Sequence, residues 1–513
     1  MPNVLLTPPF GGVDWSPYSE YNVNDPRVPL PAPPPEEAIK ALEEYISDVV
    51  YPRFQQEEQR LRAIGLWMEG KQPFCQRVSR HQIEKQALLE LSRSPWLGLA
   101  VDTFAQVMYV DGYRSPGEKD NASPWKTWQA NNFAAHQIAV HRAAIGYGYS
   151  YVRVLPGEDF RGNSQAVMRG VSPKRLYAMY EDPVSDEFPA FCLEFMPDNR
   201  TWRWYGSHVF HEFLNPSQGG KFKYQGTVEH NLGVCPVVRY VNKMDLDGRC
   251  IGDVEPVISV AARIDKTDYD RLLVQHYNSW KVRWATGLEQ AESDSEREQD
   301  KRKLAQEDIL VSSDPTVKFG SLDETNMQPF IAAHESDVES LAAMEQLPSH
   351  LFTGKVINVS AEALAASRAQ TMQKLLEKQT SMGVSHSRLL RLVAAIDGDA
   401  AAASDFEAKV SWTDVEVRSL AQAADAYGKI AQQLGVPKQF LWRFIPGFTA
   451  EDVEEMMEHT LDNDPLTKFL RETFPTMGAG LGQDNPNAFT QNATLANRSG
   501  SARPSRGAKA PPS

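Results

Sequence analysis

The sequence predicts an α+β protein in which long helices and a block of antiparallel strands occupy separate stretches of the chain. Three observations carry this expectation. Apolar residues recur at helical spacing on both sides of the middle, and short alternating runs between Pro, Gly and Asp turns fill roughly 149–240. A highly charged insert then separates two further helices. At 513 residues the chain is too long for one simple core, so three or more structural units are expected.

Residues 1–35 hold ten prolines and end in PLPAPPPEE, which reads as an extended arm because proline fixes φ and lacks an amide donor. Residues 36–70 read as helix broken at Pro52, the second piece, RFQQEEQRLRAIGLWMEG, being closed by Gly70. Helix is expected again over 81–92 and 97–109, and WKTWQANNFAAHQIAVHRAAIGYG (125–148) reads as one helix ending in glycines. YSYVRVLPG, AVMRGVSP, LYAMYEDP, AFCLEF and TWRWYGSHVFHEF then read as antiparallel strands, and LGVCPVVRYVN closes this part. Val257, Ala261 and Ile264 mark a helix over 253–279. The insert reads as a strand (WKVRWATGL), a charged helix (ESDSEREQDKRKLAQE) and a strand pair around Asp314-Pro315. A second long helix over about 324–346 shows one face through Met327, Ile331, Val338, Leu341 and Met344. A third begins at Ser360, an N-cap residue type, and runs toward Ile396 with Gly383 as a bend point. In the last unit VRSLAQAADAYGKIAQQLG ends at Gly435, Pro437 opens a short helix, and Thr449 with Asp452 resembles a capping box. After Phe474 large apolar residues are scarce, and the tail reads as disordered.

Composition narrows the function classes. No apolar run approaches the roughly 18 residues of a membrane span, and the N-terminus lacks the basic start and apolar stretch of a signal peptide. A soluble protein made in a cytosol is therefore expected. Cys75, Cys192, Cys235 and Cys250 form no CxxC pair and read as buried thiols rather than a disulfide framework or zinc site. A formal charge of −14 argues against a surface built to grip nucleic acid, though not against one that touches DNA and releases it.

Enzyme chemistry finds no support. Gly354-Lys355 lacks the rest of a phosphate-binding loop: Ser349 stands at the first glycine position, Val356 follows the lysine, and no strand leads in. DLDG (245–248) fails as a calcium loop, since Lys243 and Val254 fall where carboxylates are required, so it reads as a turn. His136 and His141 are five apart, hence on different helix faces, and suit packing or solvent contact better than metal. No metal, cofactor or catalytic residue is assigned.

A charge pattern says more. Between Lys318 and Lys355 there is no Lys or Arg, while Asp323, Glu324, Glu335, Asp337, Glu339 and Glu345 all lie there. Glu335 and Glu339 are like charges at i,i+4, mildly unfavourable within the helix itself. Repeated around a ring, such a face would repel a phosphate backbone and let DNA slide past.

In ordered blocks over about 53–470 the chain resembles the portal (head-to-tail connector) proteins of tailed double-stranded DNA bacteriophages, especially long-tailed phages of actinobacteria. The blocks are RLRAIGLWMEGKQPF, SPWLGLAVDTFAQVMYVDGYR, WKTWQANNFAAHQIAVHRAAIGYGYSYVRV, GRCIGDVEPVISVAARIDKTDYDRLL and LPSHLFTGKVINVSAEALAASRAQTMQKLLEKQTSMG. The resemblance implies a ring, usually dodecameric, at one capsid vertex of the virion, made in the bacterial host cytoplasm. In that picture 1–35 is an N-terminal arm, 36–252 and 360–415 form the wing, and 253–279 and 323–346 are stem helices. Residues 280–322 form the clip, 347–359 the tunnel loop, 416–475 the crown and 476–513 a tail. The implied partners are other copies of the chain, the terminase large subunit, a head–tail adaptor, the major capsid and scaffolding proteins, and double-stranded DNA in the channel, with no membrane and no cofactor.

Residue assignments follow. Ser349, His350, Leu351, Phe352 and Lys355 are expected nearest the DNA, Lys355 giving one transient phosphate contact per subunit, unless Leu351 and Phe352 pack on the neighbouring subunit instead. Glu335, Asp337, Glu339 and Glu345 are expected to line the channel. Glu296, Arg297, Lys301 and Arg302 are expected to make exchangeable clip contacts. Rival readings are a packaging ATPase or nuclease and another structural head or connector subunit.

Overall fold

Every strand among the described residues of the computed structural model pairs antiparallel, and most strands lie in one block over 149–251 with helices before and after it, which makes the fold α+β. The structure describes residues 36–442 apart from 80, 119, 159–160, 215–220, 279–282, 287–317, 322–324, 355–360 and 414–419, together with 445, 453, 455–457 and 459–460.

The chain begins with an unbroken helical run: α1 (Glu36–Tyr45), a π turn (Ile46–Val50) and α2 (Tyr51–Met68). Pro52 does not break it, contrary to the expectation from sequence. Tyr45, Val50 and Tyr51 all keep right-handed helical φ/ψ, and Tyr51 N–H reaches Ile46 O across the π turn. The wider turn leaves room for the proline ring, whose missing donor falls in the first turn of α2. Helices α3 (Ile83–Leu91) and α4 (Trp96–Val107) and strand β1 (Val110–Arg114) follow. The single helix expected over 125–148 is two, α5 (Pro124–Ala130) and α6 (Phe133–Tyr147), because Asn132 between them takes φ +51. Asparagine is one of the few residues with a side chain that enter this region readily.

Strands β2 (Tyr149–Glu158), β3 (Ser164–Val171) and β9 (Val237–Val241) form a three-stranded sheet ordered β3-β2-β9. Between β3 and β9 lies a five-stranded meander of β4 (Leu176–Met179), β5 (Phe191–Phe195), β6 (Thr201–Tyr205), β7 (Val209–Leu214) and β8 (Lys223–Glu229). Trp202, Trp204, Phe213 and Phe222 of this region bury against Leu42, Ile46, Val50 and Phe54, which makes a small aromatic core of its own. The larger core joins the three-stranded sheet to α4, α6 and the long helices that follow. Hairpin β10 (Lys243–Met244) and β11 (Cys250–Ile251) contains DLDG as a turn, with Asp245 Oδ1 accepting from the amides of Asp247 and Arg249.

Helix α7 (Val254–Asn278), the paired strands β12 (Arg283–Thr286) and β13 (Lys318–Ser321), α8 (Gln328–Glu345), the short α9 (His350–Thr353) and α10 (Ala361–Asp397) come next. The described partner of β13 is thus β12 across the insert, and Asp314-Pro315 lies outside the described residues. Helix α10 runs through Gly383 without the expected bend, and a Cβ there would stand at ordinary contact distance, 3.6 Å, from Trp412 and Val410. After α11 (Ala400–Ala403), strand β14 (Lys409–Trp412) pairs with β1. A second unit beyond Thr413 contributes α12 (Leu420–Gln433) and α13 (Lys438–Trp442). Thr449, Asp452 and the tail after 460 lie outside the described residues.

Candidate functional site

The antiparallel pair α7–α8 is held by an apolar seam and a ladder of polar bridges. Val257, Val260, Ala261 and Ile264 bury in the same core as Val338, Leu341 and Ala342. Arg263 pairs with Asp337 at 2.8 Å, His334 Nδ1 lies 3.1 Å from Asp268, and Asn278 Nδ2 donates to Thr325 O at 2.9 Å. As the residue number rises on one helix it falls on the other. On the side of α7 facing the N-terminal helices, Asp265 is buried and accepts from Gln72 Nε2 at 2.7 Å. Burial pushes its carboxyl up to about 6, and the Gln72 hydrogen bond only partly opposes that.

At the foot of the pair the chain enters α7 through Gly252. A Cβ there would lie 2.3 Å from Gly146 O and 2.8 Å from Gly148 N, so only glycine fits where this turn presses on the end of α6. The next residue, Asp253, opens a cluster of two ammoniums and two carboxylates. Lys374 Nζ lies 3.0 Å from Asp253 and 2.8 Å from Glu345, and Lys378 Nζ lies 2.8 Å from Asp253. Lys378 also donates to Asn242 Oδ1 at 2.6 Å, and Asn242 Nδ2 donates to Asp253 Oδ1 at 2.8 Å. Both ammoniums sit over the ring of Phe104. Lys378, Glu345 and Asn242 are each no more than 3 % exposed. Burial would raise the Asp253 carboxyl, but Lys378 and Lys374 overcome it and hold it below the ordinary value. Glu345, buried with one ammonium beside it, is raised. The start of α7, the end of α8 and the end of β9 meet α10 and α4 in this joint.

The sequence reading missed the joint, although one signal was available. Lys374 and Lys378 are like charges at i,i+4, which a helix tolerates best when an acid bridges them.

The predicted site residues fall unevenly around it. Glu345 is a correction: it is an internal charge neutralised by Lys374, not a free acid on a helix face. Asp337 is compensated by Arg263, on the side of α8 facing α7. Glu339 is exposed and Glu335 half-buried. Phe352 also differs from the expectation, since it is buried in its own chain with its ring 6.1 Å from that of Trp96. Leu351 is 43 % exposed, Ser349 exposed and His350 half-buried, on a single helical turn bounded by Gln346 (φ +56) and Gly354 (φ +65). Lys355 and the clip residues Glu296, Arg297, Lys301 and Arg302 lie outside the described residues.

A second buried polar feature also escaped notice. His141 on α6 and His386 on α10 face each other, Nε2 to Nε2, at 2.8 Å. His141 Nδ1 lies 3.1 Å from Met108 O, and Tyr240 OH lies 2.8 Å from His386 Nδ1. A carbonyl only accepts, so His141 Nδ1 carries the proton and its Nε2 accepts from His386 Nε2–H. That leaves His386 Nδ1 to accept from Tyr240 OH, and every group is satisfied with both rings neutral. Burial lowers the His141 ring to about 4 and holds the His386 ring well below its ordinary value as well. Trp128 and Trp412 close over the pair, which has no exposed surface for a reactant. His136 is exposed. Among the described residues no group of three or more His, Cys, Asp or Glu is placed to hold a metal ion, and no helix is long and apolar enough to cross a membrane.

A family model described as "Phage portal protein, SPP1 Gp6-like" matches residues 48–465. No curated protein matches the chain. Among solved structures, a chain of "Neck of native GTA particle computed with C12 symmetry" is similar with a TM-score of 0.38 at 11 % identity, covering 70 % of this chain and 89 % of that one, too weak a likeness to carry further weight.

Proposed function

Because the chain belongs to the SPP1 Gp6-like phage portal protein family, we propose that it closes into a dodecameric ring at one capsid vertex and serves as the conduit for genome packaging and ejection. The observation that carries this reading is the antiparallel pair α7–α8, rooted at one end in the four-charge joint and bearing at the other the β12–β13 pair that opens the insert. Such a pair, repeated around an axis, makes a tube wall with its insert at one mouth. The turn at 349–354 follows directly from the rooted end.

In this ring α8 gives the channel a milder negative charge than the sequence count implied. Exposed Glu339 and half-buried Glu335 are candidates for its lining; Asp337 pairs with Arg263, and Glu345 is enclosed with Lys374. Leu351, with Ser349, His350 and Lys355, forms the constriction, and Phe352 anchors the turn to Trp96. Met372, Leu376 and Val384 leave apolar surface along α10, with Leu376 63 % exposed, and this stripe meets the next subunit. The insert 280–322, with Glu296, Arg297, Lys301 and Arg302, docks the terminase large subunit and later the head–tail adaptor. The outer surface meets capsid and scaffolding proteins.

Electron-microscopic class averages of the purified chain, with its solution mass, test this. Closed rings with a central opening wide enough for duplex DNA are expected. Filaments or shells would overturn the reading in favour of another structural head or connector subunit.

A further inference from the structure

A cleft of about 840 Å³ opens between α2, the sheet strands β2 and β9, and the β10–β11 hairpin, a size that suits a small ligand or a few residues of peptide. Four arginines reach it: Arg53 and Arg60 from α2, Arg239 from β9 and Arg249 from the hairpin. Two acids answer them. Arg60 lies 2.7 Å from both Glu57 and Glu255, Arg249 lies 3.5 Å from Glu255, and Tyr149 OH donates to Glu57 at 2.7 Å. Arg53 and Arg239 are in no ion pair among the described residues. Arg239 is half-buried, donating to Pro183 O at 2.6 Å and lying 4.0 Å over the ring of Tyr180. The guanidinium is thus held by a carbonyl and a ring rather than by a carboxylate, and it can still pair with an anion. The cleft therefore keeps two positive charges over, in a chain of formal charge −14.

The sequence supplies a match. Residues 13–25, VDWSPYSEYNVND, which lie outside the described residues, carry Asp14, Glu20 and Asp25, the aromatic residues Trp15, Tyr18 and Tyr21, and no Lys or Arg. Their distance along the chain fits as well. Ten residues lie between Asp25 and Glu36, enough to span up to about 34 Å in the extended form that proline favours. Arg53 stands about 26 Å from Glu36 along the continuous helical run. The spacer is therefore long enough to span the distance back to the cleft within one chain.

We propose that the Arg53–Arg239 cleft is the docking site for the chain's own segment 13–25, held as an acidic, aromatic peptide. Its carboxylates meet the two uncompensated guanidiniums, and its rings lie against the tyrosine wall of Tyr149, Tyr151 and Tyr177. The proposal does not depend on ring closure.

The test places the photo-crosslinker p-benzoylphenylalanine at Gln56, an exposed residue lining the cleft, in the full-length chain. Equal amounts of unlabelled and nitrogen-15-labelled chains are mixed before illumination. The expected result is cross-links to residues 13–25 in pairs of one isotope only. Arg53→Glu, at an exposed position that leaves the core intact, is expected to cut their yield about fivefold, and adding Glu20→Arg to restore much of it. Mixed-isotope pairs would assign the cleft to a neighbour's segment and overturn the proposal. So would cross-links to nucleic acid or to another part of the chain, or a yield indifferent to Arg53→Glu.

Discussion

The His141–His386 pair makes a prediction at the scale of single residues. Both rings titrate below their ordinary value in the folded chain, His141 at about 4 against 6.5. Below pH 6.5 the unfolded chain binds protons that the folded chain refuses, so stability falls as the pH drops from about 6.5 toward 4. Thermal unfolding should show the Tm dropping across that window, and His386→Asn should flatten the slope while lowering the Tm at pH 7.5. Because burial also lowers His211 and His230 to about 4, the slope should shrink rather than vanish, and an unchanged slope would remove the pair as a contributor. The sequence placed His136 and His141 on different faces, and the structure agrees, but the true partner lies 245 residues away and no local pattern points to it. The thiols were more legible. Cys192, Cys235 and Cys250 are buried as their type favours, with Cys75 half-buried.

At the scale of elements, the joint at the foot of α7 and α8 should respond sharply to loss of one charge. Lys378→Met leaves Lys374 as the only cation for Asp253 and Glu345, and stripping one partner from a buried charge cluster costs about 3–5 kcal/mol. Urea unfolding followed by tryptophan fluorescence should read that loss. Lys429→Met, which removes an exposed i,i+4 pair with Asp425, should leave the midpoint in place. Equal effects in the two variants would mean that the joint is no stronger than a surface pair. Helices α7, α8 and α10 were legible because their apolar spacing is regular over many turns. The partners of their charges were not, since whether Asp337 or Glu345 faces water depends on which helix packs beside it. Pro52 and Asn132 show the same limit from the backbone side, where a π turn continued one helix and a left-handed residue divided another.

For the whole molecule, the family and the α+β class were legible from the order of blocks along the chain, which no single block carried alone. Replacing residues 349–357 by a short Gly/Ser linker should leave ring assembly intact and impair packaging or genome retention, measured as packaged DNA per particle. Normal packaging and retention would refute the constriction. Because this change also removes Phe352 from its contact with Trp96, Leu351→Ser is the sharper companion, since it alters an exposed side chain and spares the anchor.

The joint of Asp253, Glu345, Lys374 and Lys378 has a mechanical meaning. Two positive and two negative charges, enclosed around Phe104, sum to zero. In the proposed ring, passing DNA would exert little net force on such a neutral cluster, and added salt barely reaches it. Any thrust along the α7–α8 pair of that ring would therefore pass through a root whose charge balance does not depend on ionic strength.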